Sequence, residues 1–168
     1  KNNKINGGSA CYFICHEKSK FKNNKRKISK ILREEKYYGL ENINSYKKFL
    51  KRINRSSEKT KLFIKNILSK NLQIHGYGAS TKGNVLLQYL GITQKEIKYI
   101  AERNPLKYNK FTPGTSIKII SEKKSRSLKP DYYFVLPWHF KDEIIQRERK
   151  IRKNGTRFIF PLPKLKIV

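Results

Sequence analysis

The chain has no methionine, one tryptophan (Trp138), two cysteines and three histidines. Cys11, Cys15 and the adjacent His16 suggest a metal, but a closed zinc site needs four ligands and no second Cys/His pair stands at a suitable spacing. The two cysteines read instead as buried, reduced thiols. Long apolar runs are also missing. None approaches the roughly 18–20 residues of a membrane span, and no charged, apolar, small-residue leader is visible. The expectation is a soluble, cytoplasmic chain with no membrane partner. Acidic residues are few, 12 against 40 Lys and Arg, which leaves a formal charge of +28 and a pI near 10.2. Weak, salt-sensitive adhesion to any polyanion follows from charge alone, with dissociation constants on the order of 10⁻⁴ to 10⁻⁶ M. Lys, Asn and Ile all have A/T-rich codons, so a biased genome produces the same excess. No helix-turn-helix, RRM or zinc-finger signature turns the charge into a specific nucleic-acid-binding module. The opening at Lys1, in a chain without methionine, reads as a fragment of a longer protein.

At 168 residues and 37% hydrophobic content, there is material for one compact domain and a smaller appendage. After Gly7, Gly8 and Ser9, residues 10–15 read as an orphan strand, and residues 18–27 as a charged loop. Ile28, Ile31 and Leu32 mark one helical stripe that ends near Gly39. Phe49, Ile53, Thr60, Phe63, Ile64, Ile67 and Leu68 mark a second, longer one. From Leu72 the pattern alternates: strand 72–75, helix 81–90 stopped by Gly91, strand 97–101, a turn-rich stretch, strand 117–120, strand 132–136, helix 140–152 and strand 157–160. Continuous apolar strands alternating with helices predict an α/β, Rossmann-like, mostly parallel sheet with helices on both faces, preceded by two connecting helices and the orphan strand. The expected division is 1–17, 18–70 and 71–168.

The most informative segment leads from the strand at Leu72 into Gly76, Tyr77, Gly78, Ala79, Ser80, Thr81, Lys82, Gly83 and Asn84. A strand, a glycine-bearing turn and an amphipathic helix point backbone N–H groups at a phosphate. Ser80 or Thr81 can cap the helix. Lys82 in the first turn opposes the helix macrodipole, which favours anions there, so it reads as a ligand residue. The spacing is neither G-x-G-x-x-G nor a P-loop, and glycines that only permit close helix–strand packing account for it equally. In parallel sheets ligands collect at the carboxyl ends of the strands. Glu102 ends the second strand, where dinucleotide folds place an acid for a ribose hydroxyl. Arg103, Asn104 and Lys107 follow it, Trp138 can stack on a base or fill the core, and His139 stands beside it. His75 reads as a structural histidine. A nicotinamide-dinucleotide-binding domain is an alternative reading of the glycine turn with Glu102.

Several segments together resemble the C-terminal domain of S-adenosylmethionine-dependent sugar C-methyltransferases: the glycine turn 76–84, 102–107, Phe111 to Thr115, 129–132, 136–139 and 155–163. Gly7, Gly8 and Ser9 before a strand look like the end of that family's central domain, and the two helices look like its connector. The resemblance implies a three-part enzyme with a zinc-binding segment, a central domain holding S-adenosylmethionine and this domain closing over a nucleoside diphosphate sugar. The family's His-Glu-His stretch and zinc-binding cysteine cluster do not occur here. By resemblance, then, this chain binds substrate, is inactive alone, holds neither S-adenosylmethionine nor zinc itself, and has the remaining domains of the enzyme as partners.

Overall fold

The computed structural model describes residues 2–3 and 8–168. It divides into two compact units, Lys1–Asn54 and Arg55–Val168. In the first, β1 (Asn2–Asn3) and β2 (Ser9–Ala10) form a short antiparallel ladder. The strand expected over 10–15 is thus confined to Ala10 and pairs with β1, apart from the main sheet. Residues 11–15 have no regular structure, and Cys11 and Cys15 are exposed rather than buried. The cause is the lack of a local core. Tyr12, Phe13 and Ile14 are also exposed, and no described residue of this unit is buried.

Helix α1 (Lys25–Tyr37) starts where Asn24 Oδ1 accepts the Lys27 N–H at 3.0 Å and stops before Gly39 at φ +65°. Helix α2 (Ile43–Leu68) starts after Asn42, whose Oδ1 accepts the Asn44 N–H at 2.8 Å. Its carboxyl half belongs to the second unit and buries Ser57, Thr60, Ile64 and Ile67.

The second unit continues with β3 (Ile74–Tyr77), α3 (Thr81–Leu90), β4 (Tyr99–Glu102), β5 (Lys118–Ser121) and α4 (Glu122–Ser127). It ends with β6 (Tyr132–Val135), α5 (Lys141–Arg147), α6 (Arg149–Lys153), β7 (Arg157–Phe160) and β8 (Lys166–Ile167). The sheet order is β5-β4-β3-β6-β7-β8, parallel except for β8. The period-two alternation of strand side chains supplies two cores. Ile64, Leu87, Ile100, Phe134 and Leu136 pack in one, and Tyr77, Ala101, Tyr133, Val135, Ile144 and Phe158 in the other. Trp138 is half-buried against the second.

The helix expected over 140–152 is two helices with a break at Glu148. Glu148 is 3% exposed, and its Oε1 accepts from Tyr77, Arg126 and Arg147. Turning one carboxylate inward to three donors takes precedence over an unbroken helix, because a buried charge without partners costs several kcal/mol.

His75 lies wholly buried on β3. Its Nδ1 is 2.8 Å from Ser125 Oγ, itself 2.9 Å from the Tyr133 hydroxyl, and Nε2 has no partner. Burial, reinforced by the Lys98 charge, lowers its pKa from 6.5 to about 4. The unfolded chain therefore takes up this proton at a higher pH than the native one. Stability falls as pH drops from 6.5 towards 4, by on the order of 3 kcal/mol from this group. His75→Asn, which keeps a polar atom towards Ser125, is expected to flatten the denaturation midpoint between pH 6.5 and 5. An unchanged slope would show that other groups govern it.

Candidate functional site

The β4 and β5 strands lie on one side of β3, whereas β6 and β7 lie on the other. The connections therefore diverge at the carboxyl ends of β3 and β6, the crevice where open α/β sheets take ligands. The glycine turn lies at this point. Gly78 has φ +79°, which only glycine adopts without strain, and its N–H donates to Ala101 O at 2.7 Å. Ser80 Oγ accepts the Gly83 N–H at 3.1 Å and caps α3. Gly91, at φ +66°, ends the helix. Gly76 and Gly83 serve packing. A Cβ on Gly76 would stand 2.3 Å from Ile100 Cδ1, and one on Gly83 2.3 Å from Leu136 Cβ.

Two pockets flank the Ala79–Ser80 ridge and share Ala79, Ser80 and Lys107. The α5-side pocket, about 330 Å³, is lined among others by Tyr77, Gly78, Glu102, Arg103, Glu143 and Arg147. The α3-side pocket, about 310 Å³, is lined among others by Thr81, Asn84, Lys110, Phe111 and Pro113. A larger open groove, about 680 Å³, runs along one face of α2 beside Leu165, away from the glycine turn.

Glu102 holds the ridge in place. Its Oε2 accepts the Ala79 N–H at 2.7 Å, and its Oε1 accepts those of Arg103 and Asn104 at 2.8 and 2.9 Å. Lys107 Nζ, 3.7 Å from the same carboxylate, donates to Ala79 O at 2.7 Å. Asn104 Oδ1 accepts the Leu106 N–H at 3.0 Å and opens the turn that carries Lys107. Charged and backbone donors thus take up the Glu102 oxygens that a ribose would otherwise meet.

Of the other residues singled out in the sequence, Tyr77 and Asn84 face pockets, whereas Lys82, Trp138 and His139 line neither lobe. Burial, then the Lys82 charge, holds His139 below its ordinary value. Asn84 Oδ1 is buried without a partner, a state that costs about 1–3 kcal/mol.

Sequence reasoning missed the charged floor of the α5-side pocket. Tyr77 donates to Glu148 Oε1 at 2.6 Å and accepts from Arg147, whose guanidinium lies 5.5 Å over the Tyr77 ring. Arg147 also reaches Glu122 at 3.1 Å, and Arg126 bridges Glu122 and Glu148 at 2.7 Å each. Burial pushes the Tyr77 phenol far up; the Arg147 hydrogen bond opposes this and Glu148 reinforces it. Burial disfavours the Arg147 charge, but Tyr77 and the two glutamates outweigh it and raise its pKa. Within this floor only Glu122 and Arg126 stand at a helical i,i+4 spacing, and the remaining partners come from β3, α5 and the break at Glu148.

A family model described as the C-methyltransferase C-terminal domain matches residues 4–163. The chain belongs to this family. C-methyltransferase NovU of Streptomyces niveus is 31% identical over 141 residues, which cover 84% of this chain and 34% of that protein. The chain therefore spans about a third of the length of that relative. The resemblance drawn from the glycine turn and the later segments is thus borne out at the level of the family. Among the described residues of this C-methyltransferase domain, no three His, Cys, Asp or Glu side chains come together to hold a metal ion, and no helix is long and apolar enough to cross a membrane.

If Glu102 fixes the ridge, Glu102→Ala should lower stability by about 1–2 kcal/mol, since it leaves the Ala79 N–H half-buried and unpaired. Urea denaturation measures this, and a variant as stable as the parent would remove Glu102 from that role.

Proposed function

We propose that this C-methyltransferase domain binds a nucleoside diphosphate sugar in the two-lobed cleft, as the substrate-holding part of a cytoplasmic, S-adenosylmethionine-dependent sugar C-methyltransferase. The observation that carries the proposal is the Ala79–Ser80 ridge with Lys107, shared by two pockets at the divergence of β3 and β6. A diphosphate is the natural group to cross such a ridge. It meets the start of α3 and cations in both linings, Arg103, Lys107 and Lys110, while the ends of the ligand drop into separate pockets.

Methyl transfer to a sugar carbon requires a carbanion or enolate beside a ketone, and hence a general base. The two most shifted groups here do not suit that task, because His75 is enclosed and burial holds Tyr77 protonated. In this reading the chain binds, orients and shields the sugar. The remaining domains hold S-adenosylmethionine and zinc and provide the base, and the chain alone does not catalyse. S-adenosylmethionine supplies the electrophilic methyl group.

Calorimetric titration of the 168-residue chain with nucleoside diphosphate sugars is expected to give micromolar to millimolar binding that persists at about 0.15 M salt, where charges beyond roughly 8 Å are screened. Lys107→Ala should weaken it by about 1.5–3 kcal/mol, the usual worth of a charge-assisted hydrogen bond. Lys82→Ala should weaken it less, since Lys82 lines neither lobe. No binding by a chain shown to be folded would rule the proposal out.

A further inference from the structure

The sheet is wider than the helices on its α2 side. Strands stand about 4.8 Å apart and packed helices about 8–10 Å apart, so one helix covers roughly two strands. Among the described residues, α2 and α3 are the helices that contribute to the core on this side, against a sheet of six strands. A helix after β7 would complete the layer, but the chain turns back there as the antiparallel β8. Ile159 and Ile167 are cross-strand partners and so share a face. Ile159 packs in the α2-side core, whereas Ile167 is 41% exposed.

The open groove of about 680 Å³ lies at this margin, between α2 and Leu165 just before β8. Leu62 and Phe63 carry the apolar arc of α2 past the buried stripe of Thr60, Ile64 and Ile67. Phe63 stands edge-on to Tyr132 with ring centroids 6.2 Å apart, and Leu62 is exposed. Lys59 and Lys65 line the same groove, with no carboxylate beside them. Among the described residues neither lysine forms an ion pair, whereas Lys61 reaches Glu58 at 3.5 Å. The groove shares no lining residue with either lobe of the cleft.

Shape and charge select the occupant. From Lys59 to Ser69 the groove follows α2 for about 15 Å, roughly three helical turns. Its two lysines stand about 9 Å apart along the axis, which suits carboxylates on separate turns of a helix; an acyl anion brings a single one. Lys164 and Lys166 at the edge strand oppose the addition of another strand. A second copy of this chain offers no matching helix, because α1, with Ile28, Ile31 and Leu32 exposed, carries six cations against two carboxylates. We infer that this groove docks an acidic amphipathic helix of a partner protein, its apolar stripe on Leu62, Phe63 and Leu165 and its flanking carboxylates paired with Lys59 and Lys65.

The probe is a synthetic helical peptide of about 18 residues with leucines at i, i+4, i+7 and i+11 flanked by glutamates, titrated into the isotopically labelled 168-residue chain at about 0.15 M salt. A peptide of the same composition with its leucines scattered around the helix carries the same charge and serves as the control. Amide shifts are expected at Leu62, Phe63, Ser69 and Leu165 with the glycine turn unmoved, and the amphipathic peptide should bind about tenfold more tightly than the control. Leu62→Asp, at an exposed position, should abolish that difference. If this variant does not fold, the exposed pair Lys59→Glu and Lys65→Glu should reverse the preference in favour of a peptide with lysines in place of the glutamates. Equal binding of the two acidic peptides would overturn the inference and leave attraction to a basic chain. So would a wild-type dimer that Leu62→Asp dissociates, which would assign the groove to a second copy, or shifts there with dodecanoate and none with the peptide, which would assign it to an acyl chain. None of these outcomes bears on nucleotide-sugar binding, which is read at the glycine turn.

Discussion

The cleft depends on how closely α3 approaches the end of β6. Leu136 stands so near Gly83 that a single Cβ would collide with it at 2.3 Å, and even one extra methyl in a packed site costs about 1–3 kcal/mol. This approach sets where α3 begins. It lets Ser80 turn back to cap the Gly83 N–H and leaves Ala79 and Ser80 raised between two pockets. Glu102 and Lys107 then hold the ridge from the β4 side, one through the Ala79 N–H and the other through its carbonyl. A helix set further from the sheet would open the α3-side lobe, whose lining includes Thr81, Asn84 and Leu87.

Charge is arranged very differently inside and outside this site. The +28 excess lies largely on exposed lysines and arginines such as those along α1 and α2, where an ion pair like Lys30 to Glu34 at 3.9 Å contributes about 0–1 kcal/mol. The few acids are concentrated where they matter more. Glu102, Glu122 and Glu148 each serve two or more donors, and their side chains are 12%, 14% and 2% exposed. Leaving such a carboxylate short of one donor costs about 1–3 kcal/mol. The composition thus reports the outer surface, and the scarce carboxylates build the cleft.

Much of the fold could be read from local signals. The helix 81–90 coincides with α3 because Ser80 and Gly91 mark its ends through their own backbone chemistry, and the strand 157–160 coincides with β7. The other parallel strands fall within one to two residues of where their apolar runs put them, and the period of those runs revealed the parallel sheet. What was not legible depends on distant partners. The break at Glu148 follows from Tyr77 and Arg126, some 71 and 22 residues away in sequence. The two-residue β8 exists only because the chain folds back after Phe160. The exposure of Cys11 and Cys15 reflects the absence of a core in their unit, which composition does not reveal. At the cleft, the glycine turn and Lys107 were visible as a motif. Arg147 and the charged floor were not, because no spacing along the chain brings α4, α5 and β3 together.

The most direct test of the central claim is an amide chemical-shift map of the isotopically labelled chain titrated with a nucleoside diphosphate sugar at moderate salt. The account predicts shifts concentrated at Gly78, Ala79, Ser80, Lys107 and the linings of both lobes, with saturation at a single affinity. Shifts spread over the basic faces of α1 and α2 that fade as salt is added, with the glycine turn unmoved, would contradict it and leave only non-specific attraction of an anion to a basic chain.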